Sequence, residues 1–441
     1  MTSFKNGGIH PPENKFTRDF AIEECPLPEL LTIPINQHIG KPAKPLVKPK
    51  QEVKRGELIG EMDGHVSCNV HASTSGVVKK IDRIPHHGGG YTDAILLEPD
   101  GDDTWHEDIL SVSSDPKHLS SEEQLERIKN AGIVGMGGAG FPTHVKLQPP
   151  EGAKIDTLIL NGAECEPFLT SDFRLMMEQP KEILRGVSIL QSIVGQGVQV
   201  HIGIEKNKPE AIELLKEQSK GMGFKVTGLD AKYPQGSEKQ LIEALTGREI
   251  AEKGLPFSVG CAVQNVATAF AIYEAVTFKR PLTERVMTVS GMEIAKRKNL
   301  RVRLGTRFSD ILDFCGGLKH DINQLISGGP MMGRAQYSFD VPVTKTTSGL
   351  LFIDNKELDR MRERPCIRCG KCLSVCPQGM SPAVLADKSQ QHHEDELPEF
   401  GLHSCMECGS CAYVCPSKRD IVHWIKYSKA IIAQKANQQK S

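Results

Sequence analysis

Apolar positions in the first 35 residues follow no period, and prolines recur among them, so residues 1–35 read as an irregular N-terminal arm. From about residue 40 the pattern changes to short alternating runs broken by glycine and proline. Pro45–Gly60 and His71–Ile81 are examples, and they predict short β-strands joined by tight turns. Ser120-Ser121-Glu122-Glu123 has the form of a capping box, with Leu125 and Ile128 on the apolar side of the helix it opens. The apolar run Ile155–Leu160 ends in Asn161-Gly162 and predicts a buried strand and turn, and Val198–Ile204 predicts another strand. Val266, Ala269, Phe270 and Tyr273 share one face of a helix expected over Asn265–Val276. Alternating strands and helices between residues 118 and 280 predict an α/β domain. The uncharged segment Phe257–Tyr273 is short for a bilayer and contains Gln264, Asn265 and Thr268, so it reads as a buried helix. Further on, strands at Arg285–Gly291, Val302–Thr306 and Ile326–Gly333 surround a helix at Phe308–Phe314. A charged linker, Lys356–Pro365, then leads into the last segment, 356–441, whose final helix, Ile421–Ile432, is expected to pack back on it.

Two of these segments resemble known domains. Residues 36–100 resemble the barrel-sandwich hybrid of lipoyl and biotinyl carriers, which bear their cofactor on a lysine at a hairpin tip. The equivalent stretch here, Glu61–Val70, has no lysine, so a structural or docking module is expected rather than a swinging arm. Residues 283–340 resemble the soluble-ligand-binding (SLBB) β-grasp domain.

The chemistry is densest near the C-terminus. Eight of thirteen cysteines fall in two blocks, Cys366-x2-Cys369-x2-Cys372-x3-Cys376-Pro377 and Cys405-x2-Cys408-x2-Cys411-x3-Cys415-Pro416. This is the spacing that holds cubane clusters in bacterial ferredoxins, where the fourth thiolate of each block serves the other cluster. On that rule Cys366, Cys369, Cys372 and Cys415 bind one [4Fe-4S] cluster, and Cys405, Cys408, Cys411 and Cys376 the second. Structural zinc, the alternative for CxxC pairs, has no use for the third cysteine or the trailing proline. The other cysteines, Cys25, Cys68, Cys165, Cys261 and Cys315, lack ligand spacing and read as small hydrophobes. His392-His393 reads as solvated surface.

Composition adds limits. The 441 residues suggest several domains, and the 39% hydrophobic and 25% charged fractions are ordinary for a globular protein. A net charge of −1 gives no electrostatic reason to expect nucleic acid. The start, Met1-Thr2-Ser3-Phe4-Lys5, lacks an apolar signal core, and cluster thiolates call for a reducing compartment; both point to the cytosol.

Gly135-x-Gly137-x-x-Gly140 matches the dinucleotide fingerprint in form, but a helix precedes it and Phe141-Pro142 follows it, unlike a Rossmann loop. What the residues allow is close approach of backbone N–H groups to phosphate, with Lys146 as a point charge; a plain tight turn is the alternative. The wider order is more specific. Gly137-Gly-Ala-Gly-Phe-Pro-Thr143, Asn161-Gly-Ala-Glu-Cys-Glu-Pro167, Gly236-Ser-Glu238 and Val263-Gln-Asn265-Val-Ala-Thr268 resemble, in sequence and spacing over 121–278, the NADH-oxidising flavoprotein subunit of respiratory complex I. With the β-grasp and ferredoxin segments and the opening Gly7–Asn14, the chain resembles the RnfC family, peripheral subunits of Rnf ion-translocating NAD:ferredoxin oxidoreductases.

That resemblance implies noncovalent FMN held by Gly135, Gly137, Gly138, Ala139 and Gly140, by Lys146, Asn161 and Glu164, by Gly236, Ser237 and Glu238, and by Asn265 and Thr268. NADH would stack between the flavin and Phe141, with Glu166 near its ribose or carboxamide. Two departures stand out: Ala163 replaces an acidic residue of the complex I pattern, and that family's single-cluster segment is absent. A flavin converts hydride to single electrons and needs no dedicated acid or base, so no catalytic side chain is assigned. The implied partners are NAD(H), the membrane and ferredoxin-type subunits of an Rnf complex, and ferredoxin itself, at the cytoplasmic face of the membrane. A diaphorase subunit of a soluble oxidoreductase and a non-catalytic cluster relay are the competing expectations.

Overall fold

The structure, a computed structural model, describes residues 2–110, 113–150, 152–252, 254–354 and 363–438. Most of the expected charged linker, 355–362, lies outside the described residues.

The arm is not wholly irregular. It contributes β1 (Ile22–Glu24) and β2 (Leu31–Pro34) to two different sheets. β2 joins a barrel-sandwich domain made with β3 (Lys44–Pro45), β4 (Glu52–Val53), β5 (Leu58–Glu61), β6 (Val70–His71), β7 (Gly76–Pro85) and β8 (Tyr91–Pro99). Its sheets have the orders β2-β8-β7-β4 and β3-β5-β6. Leu31 faces Leu97 and Ile33 faces Ile95 across the β2–β8 ladder, and all four are fully buried in the barrel core.

The α/β domain is built on a parallel sheet of β9 (Thr157–Gly162), β10 (Gln199–Glu205), β11 (Lys225–Leu229) and β12 (Cys261–Asn265), in the order β11-β10-β9-β12. Alternation along β9 divides its apolar side chains between two covers. Leu158 and Leu160 join the core of the helices Pro180–Val194 and Val266–Phe278, while Ile159 packs with Leu241 and Ile242 of the helix Glu238–Thr246. The first two helices meet closely because Gly186 lies against Ala269; a Cβ there would come within 1.9 Å of the Ala269 oxygen. The segment 257–273, expected as one buried helix, is instead a 3-10 turn (Pro256–Val259), then β12, then the start of the helix Val266–Phe278. It is uncharged because strand and helix are both buried, and Asn265 caps the helix where the two meet. Parallel strands aligned in this way bring their carboxyl ends to one edge, where α/β sheets bind ligands.

The β-grasp region forms a six-stranded sheet from β1, β13 (Glu284–Gly291), β14 (Lys298–Arg303), β15 (Gln324–Ser327), β16 (Arg334–Gln336) and β17 (Gly349–Ile353). It therefore runs past residue 340 and takes β1 from the arm, parallel to β14. The expected strand at 302–306 starts earlier, at Lys298, whereas the helix Phe308–Phe314 stands where its pattern put it. The C-terminal module packs the long helix Ile421–Gln438 against Pro382–Gln390, burying Leu385, Leu397, Leu402, Ile421 and Ile425.

Candidate flavin and cluster sites

The helix Ser121–Asn130 begins with the expected capping box: Ser120 Oγ accepts from Glu123 N at 3.1 Å, and Glu123 accepts from Ser120 N at 2.7 Å. It delivers the chain to a glycine loop closed by the Val134–Pro142 bridge and by Gly135 N donating to Phe141 O at 2.9 Å. Gly137, Gly138 and Ala139 are exposed at its tip, and Phe141 stands exposed just beyond. Gly140 adopts φ +75°, a conformation that favours glycine.

The loop leans on the carboxyl ends of β9 and β12, where Asn161 and Asn265 are register partners. Asn265 Oδ1 accepts from Ala267 N at 2.8 Å, and its amide donates to Asp172 at 2.7 Å. Gly137 lies against the Asn265 side chain, and Thr268 Oγ1 accepts from Met136 N at 3.0 Å. Asn161 reaches the third segment, donating to Gly236 O at 2.7 Å, while its Oδ1 accepts from Ala163 N at 3.2 Å. Lys146 forms an ion pair with Glu238, which follows Ser237 at the start of its helix. The structure thus gathers the loop, Lys146, Asn161, Gly236–Glu238, Asn265 and Thr268 at one edge of the parallel sheet.

Glu164 and Glu166 make contacts the sequence does not disclose. Glu164, at φ +45°, accepts from Asp172 N at 2.7 Å and Phe173 N at 3.2 Å, capping the helix Ser171–Glu178. Glu166 accepts from Met331 N at 3.0 Å and Met332 N at 2.8 Å, tying this turn to the β-grasp domain. Burial outweighs those two donors and pushes the Glu166 acid up to about 7. Burial, helped by Glu164, likewise raises Asp172 to about 6. Two lysines missed by sequence reasoning hold the same turn from below. Lys15 Nζ donates to the carbonyls of Glu164, Glu166 and Leu169, and Lys208 Nζ donates to Ala163 O at 2.7 Å. Neither carries a local motif, since each reaches its partners only through the fold.

These residues fit a flavin mononucleotide on structural grounds. The loop tip is open, a Cβ on Gly138 would meet nothing within 4 Å, and the N-terminus of the helix Val266–Phe278 adjoins it. Exposed backbone N–H groups beside a helix N-terminus make a phosphate site.

In the C-terminal module the two cysteine blocks share one backbone design, offset by 39 residues. Arg368 and Glu407, Gly370 and Gly409, and Gly379 and Lys418 all have positive φ at matching positions. Each block then turns into a short helix, Lys371–Ser374 or Ser410–Tyr413. Cys376 of the first block lines a recess together with Cys405, Cys408 and Cys411 of the second, the set expected for the second cluster. Burial pushes the Cys405 thiol up to about 11, so thiolate there calls for a bound cation. For the first cluster, Cys372 and Cys415 lie in the same apolar core, while Cys366 and Cys369 are exposed. Among the described residues no three Cys, His, Asp or Glu side chains converge as tightly as a single ion demands. A cubane takes its ligands at separate iron corners, which the C-x2-C-x2-C-x3-C-P spacing of both blocks fits. Of the remaining cysteines, Cys68, Cys261 and Cys315 are buried and Cys25 and Cys165 partly so.

The two sites adjoin. Tyr233 donates to Cys408 O at 2.7 Å, Ser237 Oγ lies 3.8 Å from Met406 Sδ, and Gln240 donates to Pro377 O at 3.4 Å. A complex-I-type flavin fold joined directly to a two-cluster ferredoxin module defines a flavin- and iron–sulfur-dependent electron-transfer protein.

Comparison with known proteins bears this out. Family models match as the RnfC barrel sandwich hybrid domain over residues 2–102, the Nuo51 FMN-binding domain over 128–274, the SLBB domain over 286–335 and the 4Fe-4S dicluster domain over 365–419. The RnfC-type component of the proton-translocating ferredoxin:NAD(+) oxidoreductase complex of Clostridium ljungdahlii is 49% identical over 98% of this chain and 94% of its own. Its counterpart in the Na(+)-translocating ferredoxin:NAD(+) oxidoreductase complex of Acetobacterium woodii is 42% identical over 97% of each. The chain belongs to the RnfC family of ion-translocating oxidoreductase complexes. FMN and [4Fe-4S] clusters are its cofactors. In fold it is similar to a chain of an NAD+-reducing [NiFe]-hydrogenase, with TM-score 0.52 and 16% identity over 74% of this chain and 68% of that one. Among the described residues no helix is long and apolar enough to cross a membrane.

Proposed function

We propose that this chain is the electron-input subunit of a membrane-bound, ion-translocating NAD:ferredoxin oxidoreductase, moving electrons between NAD(H), FMN and two [4Fe-4S] clusters. The observation that carries this is the seam between Tyr233–Gln240 and the Cys405–Cys411 loop, which sets a cluster-binding loop directly against the candidate flavin segment. FMN supplies the change from two-electron hydride to single-electron transfer. The glycine loop and the helix N-terminus behind Asn265 bind phosphate; Asn161, Lys146 and Glu238 fix the opposite wall. Phe141 and Glu166 flank the approach of NADH. The Cys405, Cys408, Cys411 and Cys376 set holds the cluster nearer the flavin domain, and exposed Cys366 and Cys369 leave the other open to a redox partner. Partners are the membrane and ferredoxin-type subunits of the complex, with docking at the cytoplasmic membrane face. Membership of the RnfC family supports this reading over a soluble diaphorase.

Anaerobic chain reconstituted with iron, sulfide and FMN should show flavin bleaching and cluster reduction on mixing with NADH, and Lys146→Glu should lose both. Intact clusters that NADH does not reduce, with no FMN retained, would leave only an electron relay.

A further inference from the structure

The β-grasp region places two buried cations beside the glycine loop, Arg285 against the loop itself and Lys345 at the turn that leads into it. Lys345 is completely buried, and its Nζ donates to Gly132 O at 2.8 Å and to Asn69 O of the barrel domain at 2.6 Å. Arg285, only 3% exposed, donates through Nη2 to Met136 O at 2.7 Å and through Nε to Thr347 O at 3.2 Å. Its Nη1 is buried with no hydrogen-bond partner. Among the described residues neither cation forms an ion pair; Asp172 attracts Arg285 without pairing with it. Burying charge without a counter-charge is costly, so the arrangement calls for an anion close by.

The loop has a place for such an anion. In a trans peptide the C=O and N–H point in opposite directions. Drawing the Met136 carbonyl inward to Arg285 therefore turns the Gly137 N–H outward, toward the exposed tip. Thr346 of the same β-grasp segment lies under Gly140 at the other end of the loop. No described residue accepts from the Gly137, Gly138 or Ala139 N–H groups. Lys146, by contrast, already has Glu238 as its counter-charge.

We infer that Arg285 and Lys345 are positioning residues that brace the glycine loop from behind and supply the positive charge that selects a phosphate-bearing flavin. This deepens the reading of the site as an FMN site and rests on it. Neither residue lies in a segment that carries the resemblance to the complex I flavoprotein.

The test compares FMN with riboflavin, which lacks only the phosphate, using flavin-fluorescence titration of the full chain with both clusters in place. Wild type should prefer FMN. Arg285→Met and Lys345→Met should each weaken FMN by about tenfold or more while changing riboflavin affinity less than about twofold. If either fails to retain its clusters, Arg285→Gln and Lys345→Gln, which keep a donor but lose the charge, carry the test with the same expectation. Equal weakening of both flavins would reduce the residues to structural props, and unchanged FMN preference would remove them from the site. A wild-type chain that binds neither flavin would overturn the FMN reading itself, an outcome distinct from either.

Discussion

The Tyr233 hydroxyl donates to the backbone carbonyl of Cys408 at 2.7 Å, joining a residue three positions before Gly236 to a cysteine of the second cluster block. Both residues are buried, together with Ile9 of the arm. Tyr233→Phe leaves that carbonyl without its donor and should lower stability by about 1–3 kcal/mol. Iron and flavin contents should stay at wild-type levels, while stopped-flow mixing with NADH shows cluster reduction lagging further behind flavin bleaching. Unchanged kinetics would mean the seam is not on the electron path.

One recess is shared by Cys376 with Cys405, Cys408 and Cys411, the set expected to hold one cluster. Cys376→Ser should remove the cluster held with Cys405, Cys408 and Cys411, dropping iron from about eight to about four per chain. NADH should still bleach the flavin of this variant, with little reduction of the cluster that remains. Cys415→Ser should show the same iron loss, yet keep a cluster that NADH reduces quickly. If the two variants behave alike, the cross-ligation or the order is wrong.

The glycine loop separates structural need from ligand need. Gly140 has φ +75°, and a Cβ would meet Thr346 Cγ2 at 2.6 Å, so Gly140→Ala should cost about 1–2 kcal/mol or more in a denaturant titration. At Gly138 a Cβ would meet nothing, and Gly138→Ala should leave stability within about 0.5 kcal/mol of wild type. Its methyl would stand where a phosphate or flavin must approach, so FMN affinity should fall by about tenfold or more. Wild-type FMN binding by Gly138→Ala would displace the flavin from this loop.

Glu166 gives a pH signature. Its acid is raised from 4.5 to about 7 chiefly by burial, so the folded chain holds a proton there that the unfolded chain has lost. That contribution is fully present below about pH 4.5, declines as pH rises toward 7 and is flat beyond. Asp172, raised to about 6, and Glu274, raised to about 7, act in the same sense. Glu166→Gln should therefore make the urea midpoint fall less steeply between pH 5 and 7 without flattening it. An unchanged slope would place the titration elsewhere.

Much of this protein is written in local patterns. The cysteine spacing specified two clusters because thiolate geometry around a cubane is set by a few consecutive residues. Capping at Ser120, the strand ending at Asn161 and the helix Phe308–Phe314 follow from hydrogen-bonding side chains and apolar periods within a turn or two. The candidate flavin residues came as a series of segments from the resemblance to the complex I flavoprotein, and the fold gathers those segments at the carboxyl ends of parallel strands, where α/β sheets bind ligands. Periodicity misjudged 257–273, since a fully buried strand followed by a fully buried helix leaves one uncharged run with no break.

Tertiary structure alone decided what those segments lean on. Lys345 meets Gly132 across 213 residues and Arg285 meets Met136 across 149, with no local signal at either end. Lys345 stands among threonines and Arg285 beside Glu284, where a cation draws no notice in sequence; only folding shows which carbonyls they hold. The turn bearing Glu164 and Glu166 owes its position to Lys15, Met331 and Met332, brought together from the arm and the β-grasp domain, and its burial there raises the Glu166 acid. Desolvation and long-range charge depend on what surrounds a group in space, and the order of residues along a chain does not contain that.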